Sequence, residues 1–333
     1  MNKSSDEVIK YKAYLLATLA LDGDFDATAG LCKKVLLVEG ATDRKFIEQI
    51  KGADTSCHSV MDIMRNRDAF ITSHSLVPGP YNNKQVITTI LKHIAFFPEY
   101  SDFPKGAETW PLYGLVDNDF DNENDYARVT KLFFTDTHDL ETLMLSTDKN
   151  LLARLKQCLI TEDEVKKALF IANQMAAFRK AIKSNGNMNL GLISEQDGTI
   201  AFQKFTDGII INIAKLLQHI NDKSERLLSK EKLKATRESI IKNLKNKVDK
   251  EGSWKKSFDT FNVTTDTWMD VNGHDVLSAI CYLNPGVRET FNNRGGHSQN
   301  RDFEFALTEA YDYNCLKKTK LHAKLQAAGL LRE

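Results

Sequence analysis

The sequence predicts an α/β fold: a parallel sheet flanked by helices, followed by a mainly helical C-terminal domain. Three observations predict it. Two apolar runs, Lys34–Val38 and Leu112–Val116, are rich in valine and leucine, and each ends abruptly in carboxylates. Such runs read as strands buried on both faces of a parallel sheet. Strand-like and helix-period segments alternate in the order β-α-β-α-β-β-α within residues 30–150, the pattern of a sheet covered by helices. From Leu151 onward, helical periodicity takes over.

The elements follow in order. Asp6–Ala20 carries Val8, Ile9, Tyr11, Leu15, Leu16 and Leu19 at helical spacing; an edge strand near Ala13–Leu19 is the alternative. Asp22–Gly30 is a turn-rich break. After the Lys34–Val38 strand, Thr42 is an N-cap candidate for a helix through Phe46, Ile47 and Ile50, ended by Gly52. Ser56–Val60 reads as a short second strand, and Ser75–Asn83, with Pro78, Gly79 and Pro80, as a loop. Gln85–Phe97 is an amphipathic helix stopped before Pro98. Leu112–Val116 and Val129–Phe134 are the third and fourth strands, and Asp139–Leu145 is a helix with Leu140, Leu143 and Met144 inward. Further helices are expected over Glu162–Lys183, Phe205–Leu228, Glu231–Val248, Asp275–Tyr282 and Phe303–Leu330. A hairpin is expected at Leu190–Phe202 around Asp197-Gly198. The expected organisation is an N-terminal helix or edge element over 1–30, a catalytic α/β domain over 31–150, and a helical domain over 151–333 for substrate or partner binding.

With 333 residues, 42% of them apolar, the chain has ample material for a folded core. Its formal net charge is zero, which argues against a general nucleic-acid coating protein. The charge is segregated, however. Asp102–Asp148 holds eleven acidic and three basic residues, a balance of −8, whereas Lys223–Lys256 holds twelve basic and five acidic, a balance of +7. The five cysteines (Cys32, Cys57, Cys158, Cys281, Cys315) form no CxxC pair, which fits buried, reduced thiols and excludes zinc-ribbon spacing. No signal pattern and no 18-residue apolar span is present, so a cytoplasmic protein without membrane association is expected.

The chemistry-bearing residues lie just past the two strands. Glu39 follows the first, and Asp117-Asn118-Asp119 follows the third. Ligands of open α/β sheets bind beyond the carboxyl ends of the strands. Alternate residues of an extended segment face the same side, so Asp117 and Asp119 can reach one ion while Asn118 faces away. Several carboxylates at one edge repel unless cations offset them. Oxygen-only donors suit Mg²⁺ or Mn²⁺, with a third carboxylate able to hold a second ion.

The run Leu37-Val38-Glu39-Gly40, followed by Asp117-Asn118-Asp119, resembles the Toprim family of topoisomerases, primases, recombination proteins and OLD-family nucleases. The resemblance implies that Glu39, Asp117 and Asp119 are catalytic and metal-binding. The extended form Val-Glu-Gly-x-x-Asp is closer to the OLD-type nucleases and implies that Asp43 joins the metal site; a helix N-terminal acid is the equally weighted alternative. Thr137-His138-Asp139-Leu140-Glu141 is similar to a segment of the stand-alone OLD-like effectors of PARIS-type anti-phage systems. It makes Glu141 a further metal ligand or, alternatively, a first-turn helix acid. The resemblance implies a Mg²⁺-dependent endonuclease that acts as a toxic antiviral effector on RNA such as tRNA. It also implies a homodimer when active, and control by a partner ABC-type ATPase. The chain has no GxxxxGK[ST] motif of its own.

The basic segment supplies candidate nucleic-acid contacts at Lys242, Lys245, Lys255 and Lys256, beside Trp254 and Phe258. Arg294, in Asn293-Arg294-Gly295-Gly296-His297, is a fifth. A solvated helix face and ordinary loop turns are the alternatives. His138 is a phosphate contact or a plain loop histidine, and His274 a cap of the Asp275 helix. Two other functions fit the motifs: an OLD-like DNA nuclease subunit, and a non-catalytic Toprim module for nucleic-acid binding or adaptor work.

Overall fold

The four residues Val35–Val38 lie fully buried in the middle of the sheet, which is why this apolar run needs no polar alternation. The structure, a computed structural model, describes residues 15–16, 18–26, 28–61, 83–93, 110–118, 126, 129–155, 159–186, 259–292 and 301–332. In chain order the strands are β1 (Phe25–Asp26), β2 (Gly30–Leu31), β3 (Lys34–Val38), β4 (Thr55–Ser59), β5 (Leu112–Val116) and β6 (Leu132–Phe134). The helices are α1 (Ala41–Ile50), α2 (Asn83–His93), α3 (Leu140–Thr147), α4 (Leu151–Arg154), α5 (Glu162–Gly186), α6 (Thr265–Asp270), α7 (Gly273–Leu283), α8 (Pro285–Asn292), α9 (Arg301–Ala310), α10 (Tyr313–Leu316) and α11 (Lys320–Ala327). Residues 15–16 and 18–21 are also helical, in line with the opening helix rather than the edge strand.

Packing divides the chain into two units. The first joins residues 1–136 to 312–333; the second is 137–311. The cut falls ahead of the change in sequence pattern near 150, because the apolar face of α3 packs with α6, α7 and α9.

The first unit is built on a four-stranded sheet of order β4-β3-β5-β6, parallel throughout and flanked by helices. Val38 pairs with Ser59 on one side and Leu115 on the other, and Val116 pairs with Phe134. The carboxyl ends of all four strands therefore finish at one edge. One face carries Val35, Leu37, Leu112 and Val116, packed with Leu15, Leu19, Val86, Ile87, Ile90 and Leu91. Gly114 makes the approach of α2 possible: a Cβ there would stand 2.5 Å from Ile87 Cγ2 and 2.9 Å from Leu91 Cδ1. Cys57 is buried, and burial pushes its thiol far above the ordinary value, so it is chemically inert. The antiparallel hairpin β1–β2 pairs Phe25 with Leu31 and Asp26 with Gly30. His58 on β4 lies 2.7 Å from Asp24 and 3.1 Å from Asp22. Burial raises the Asp24 carboxyl, but hydrogen bonding by Ser56 and His58 and the charges of His58 and Lys33 outweigh it and leave it lowered.

The C-terminal segment belongs to this unit through main-chain bonds that no local pattern announces. Arg332 N–H donates to Ile50 O (3.0 Å) and Gly52 N–H to Leu330 O (2.8 Å). Lys34 Nζ donates to the carbonyls of Ala328 and Gly329, at 3.2 and 2.9 Å. The Asp136 carboxylate accepts from Lys320 and Leu321 N–H at 2.5 and 3.0 Å and so fixes the start of α11. The expected Phe303–Leu330 helix is thus three helices, α9, α10 and α11.

All described elements of the second unit are helices. Ala168, Ala172 and Ala176 recur every four residues on α5 and are buried. Among the described residues, the pairing of α7 with α5 is the most extensive between helices, and small residues at that spacing suit close helix packing. Phe303 on α9 stacks on Phe291 of α8 at 4.7 Å between ring centroids. Among the described residues, no helix is long and apolar enough to cross a membrane.

Three local expectations change. The cap of α1 is Gly40, not Thr42, because the Asp43 carboxylate reaches back to Gly40 N–H at 2.8 Å while Thr42 is buried inside the helix. The fourth strand starts at Leu132 rather than Val129, since Lys131 adopts φ 63°, which no strand accommodates. α7 starts at Gly273 and is capped by Asn272, whose side chain accepts from Asp275 N–H, so His274 is not the cap. The Leu190–Phe202 hairpin and the helices at 205–228 and 231–248 lie outside the described residues.

Candidate metal centre

β3 and β5 are adjacent and parallel, so the residues that follow them meet at one edge. There Glu39 Oε1 accepts a hydrogen bond from Asp117 N–H at 3.0 Å. Two residues 78 positions apart are thereby joined. Both side chains are half-buried, while Asn118 is buried and its N–H donates to Thr135 Oγ1 at 3.2 Å. Asp117 and Asn118 thus differ in environment as an extended strand end requires. Asp119 lies outside the described residues, as do Lys242, Lys245, Lys255, Lys256 and Arg294.

Asp43 occupies the first turn of α1, and its Oδ2 accepts from Gly40 N–H. The bond closes the Glu39-Gly40 turn over the start of the helix and fixes the direction in which Glu39 leaves the sheet. A carboxylate there also meets the positive end of the helix dipole.

Lys84 was not anticipated. It stands in the first turn of α2, only 3% exposed. Its ammonium donates to the main-chain carbonyl of Asp117 and lies over the rings of Phe134 and Tyr126, at 5.5 and 5.7 Å from their centroids. No sequence signal singles it out, because a lysine at the start of an amphipathic helix is normally solvated.

Glu141 belongs to the second unit, in the first turn of α3, and is 5% exposed. Its surroundings centre on Asp139, the N-cap of α3, whose Oδ1 accepts from Thr142 N–H at 2.9 Å. Asp139 Oδ2 accepts from Gly273 N–H at 2.6 Å and lies 3.2 Å from His138 Nδ1. Burial pushes this carboxyl up, but the hydrogen bond and charge of His138 and the amides of Gly273 and Thr142 outweigh it, so it titrates below the usual range. Gly273 is required here: a Cβ would stand 2.5 Å from both Asp139 Oδ1 and Glu141 Cβ. The buried His138 is therefore a partner of Asp139 within the fold.

His274 pairs with Glu304 of α9 at 2.8 Å. Burial lowers the imidazole, but the charge and hydrogen bond of Glu304, with Glu141 and Asp139 beyond, outweigh it and hold the pKa well above the ordinary value. A raised histidine contributes stability that is complete below its unfolded value of about 6.5 and is lost as pH climbs through the raised one. The Glu304→Gln protein is therefore expected to be less stable than the parent between about pH 5 and 6.5, with the difference shrinking at higher pH. Urea midpoints across that range check this; a difference independent of pH counts against the pair.

The donor set at the sheet edge consists of carboxylate oxygens, which suit hard cations. Mg²⁺ ordinarily takes one or two carboxylates alongside water, and Glu39 and Asp117 stand at this edge among the described residues. Among the described residues, no three His, Cys, Asp or Glu side chains are grouped so as to hold a metal ion. Comparison of the chain with protein-family models, with curated proteins and with solved structures finds no match.

Proposed function

We propose that the chain is a Toprim-type, Mg²⁺- or Mn²⁺-dependent endonuclease with Glu39, Asp117 and Asp119 as its catalytic and metal-holding residues. The observation that supports the reading most is the Glu39–Asp117 hydrogen bond at the carboxyl edge of adjacent parallel strands. Asp119 joins the set by its place in the motif, two residues after Asp117, and Asp43 stands in the first turn of α1. A bound ion would polarise the scissile phosphate and activate water. The protein's own part is to bring Glu39 against the main chain of Asp117, with Gly40 and Asp43 fixing the exit of Glu39 and Thr135 steadying Asn118. RNA such as tRNA is the proposed substrate, and antiviral defence under a partner ATPase the proposed setting. Both rest on the resemblance of Val38-Glu39-Gly40 and Thr137–Glu141 to OLD-like effectors.

The test is incubation of the purified chain with tRNA, single-stranded DNA and double-stranded DNA, in Mn²⁺ and in EDTA. Cleavage of tRNA in Mn²⁺ alone is expected. Cleavage that survives EDTA counts against the metal, and cleavage of DNA in preference to tRNA counts against the substrate.

A further inference from the structure

Lys84 carries an inference that goes beyond the acids. Lysine is almost never fully buried unless paired, and burying an ammonium is strongly unfavourable unless nearby charge offsets it. Lys84 is 3% exposed. Its ammonium meets the Asp117 carbonyl and the rings of Phe134 and Tyr126, and a full positive charge so buried calls for negative charge close by. Negative charge lies across a single residue. Asp117 accepts from Lys84 through its carbonyl and donates through its N–H to the Glu39 carboxylate. Ammonium and carboxylate are therefore separated only by the main chain of Asp117, itself an acid. The same spot could hold a methionine at no electrostatic penalty, since the rings of Phe134 and Tyr126 furnish apolar surroundings.

We propose that Lys84 is the resident counter-cation and positioning residue of this carboxylate edge. It supplies positive charge to Glu39 and Asp117 in the absence of a divalent ion, anchors the Asp117 main chain, and thereby sets the affinity with which a divalent ion binds. The inference rests on the metal-site reading of that edge. A fixed positive charge and an incoming cation compete for the same carboxylates. Lys84 therefore lets the edge fold without metal and holds divalent affinity down, so that occupancy follows the ambient ion concentration.

The experiment compares the full-length parent with Lys84→Met, Lys84→Gln and Lys84→Arg, measuring Mn²⁺ affinity by calorimetry and melting temperature with and without Mn²⁺. Removal of the charge is expected to lower the metal-free melting temperature, tighten Mn²⁺ binding by about tenfold and enlarge the Mn²⁺-induced rise in melting temperature. Lys84→Gln keeps a donor without the charge and is expected to follow Lys84→Met; Lys84→Arg keeps the charge and is expected to follow the parent. Lower stability with Mn²⁺ affinity unchanged or weakened overturns the counter-cation role and leaves the metal site standing. If Lys84→Met does not fold, Lys84→Gln against Lys84→Arg decides by the same readout. A parent chain that binds no Mn²⁺, like its Glu39→Gln variant, overturns the metal-site reading and this inference with it.

Discussion

The Glu39→Gln protein is expected to lose nucleic-acid cleavage by about 10²-fold or more while remaining folded. Metal-ion stabilisation of a phosphoryl transition state is worth several kcal/mol, and each 1.36 kcal/mol is tenfold in rate. Glutamine matches glutamate in size and keeps a carbonyl oxygen that can accept from Asp117 N–H, so the bond joining the ends of β3 and β5 survives. What is lost is the negative charge, and with it a charged ligand. Cleavage rate in Mn²⁺ is the measurement, with the melting temperature as a check on the fold. Near-parental cleavage in the substituted protein removes Glu39 from the mechanism.

The Asp139→Ala protein is expected to lose about 3–5 kcal/mol of stability, because a buried charged partner disappears and the groups it served stay buried. Those groups are the amides of Thr142 and Gly273 and the ring of His138. The effect should concentrate in the second unit, where Asp139 caps α3 and also receives the first amide of α7. Asp139→Asn keeps acceptor capacity and should lose less. Because the carboxyl titrates below its usual range, its contribution is present above the unfolded value of about 3.9 and is lost as pH falls below it. Urea unfolding and amide exchange at Gly273 and Thr142 measure the loss. A change below about 1 kcal/mol would assign the carboxylate no more than a surface-type role.

The sheet was legible in the chain. Lys34–Val38 and Leu112–Val116 have the bounds read from the sequence, because a strand buried on both faces must be apolar without interruption. The second strand moved by one residue, to Thr55–Ser59. The pairing of Glu39 with Asp117 was also legible, since strand ends and carboxylates coincide in the sequence and adjacent parallel strands must end together. Asp139 had a partial signal, an acid just before an apolar helix. Its service to Gly273 had none.

The sequence by itself determined the parallel sheet, the edge at which its strands end, and the acids at that edge, because burial and alternation act over a few neighbouring residues. Only the tertiary structure decided that α2 brings Lys84 to the carbonyl of Asp117, that Asp139 receives the amide of Gly273, and that residues 312–333 return to close the first unit. Each of these is a contact across long stretches of chain. It is set by which surfaces the packed core leaves adjacent, and a lysine, a glycine or a terminal helix has no local pattern that foretells it.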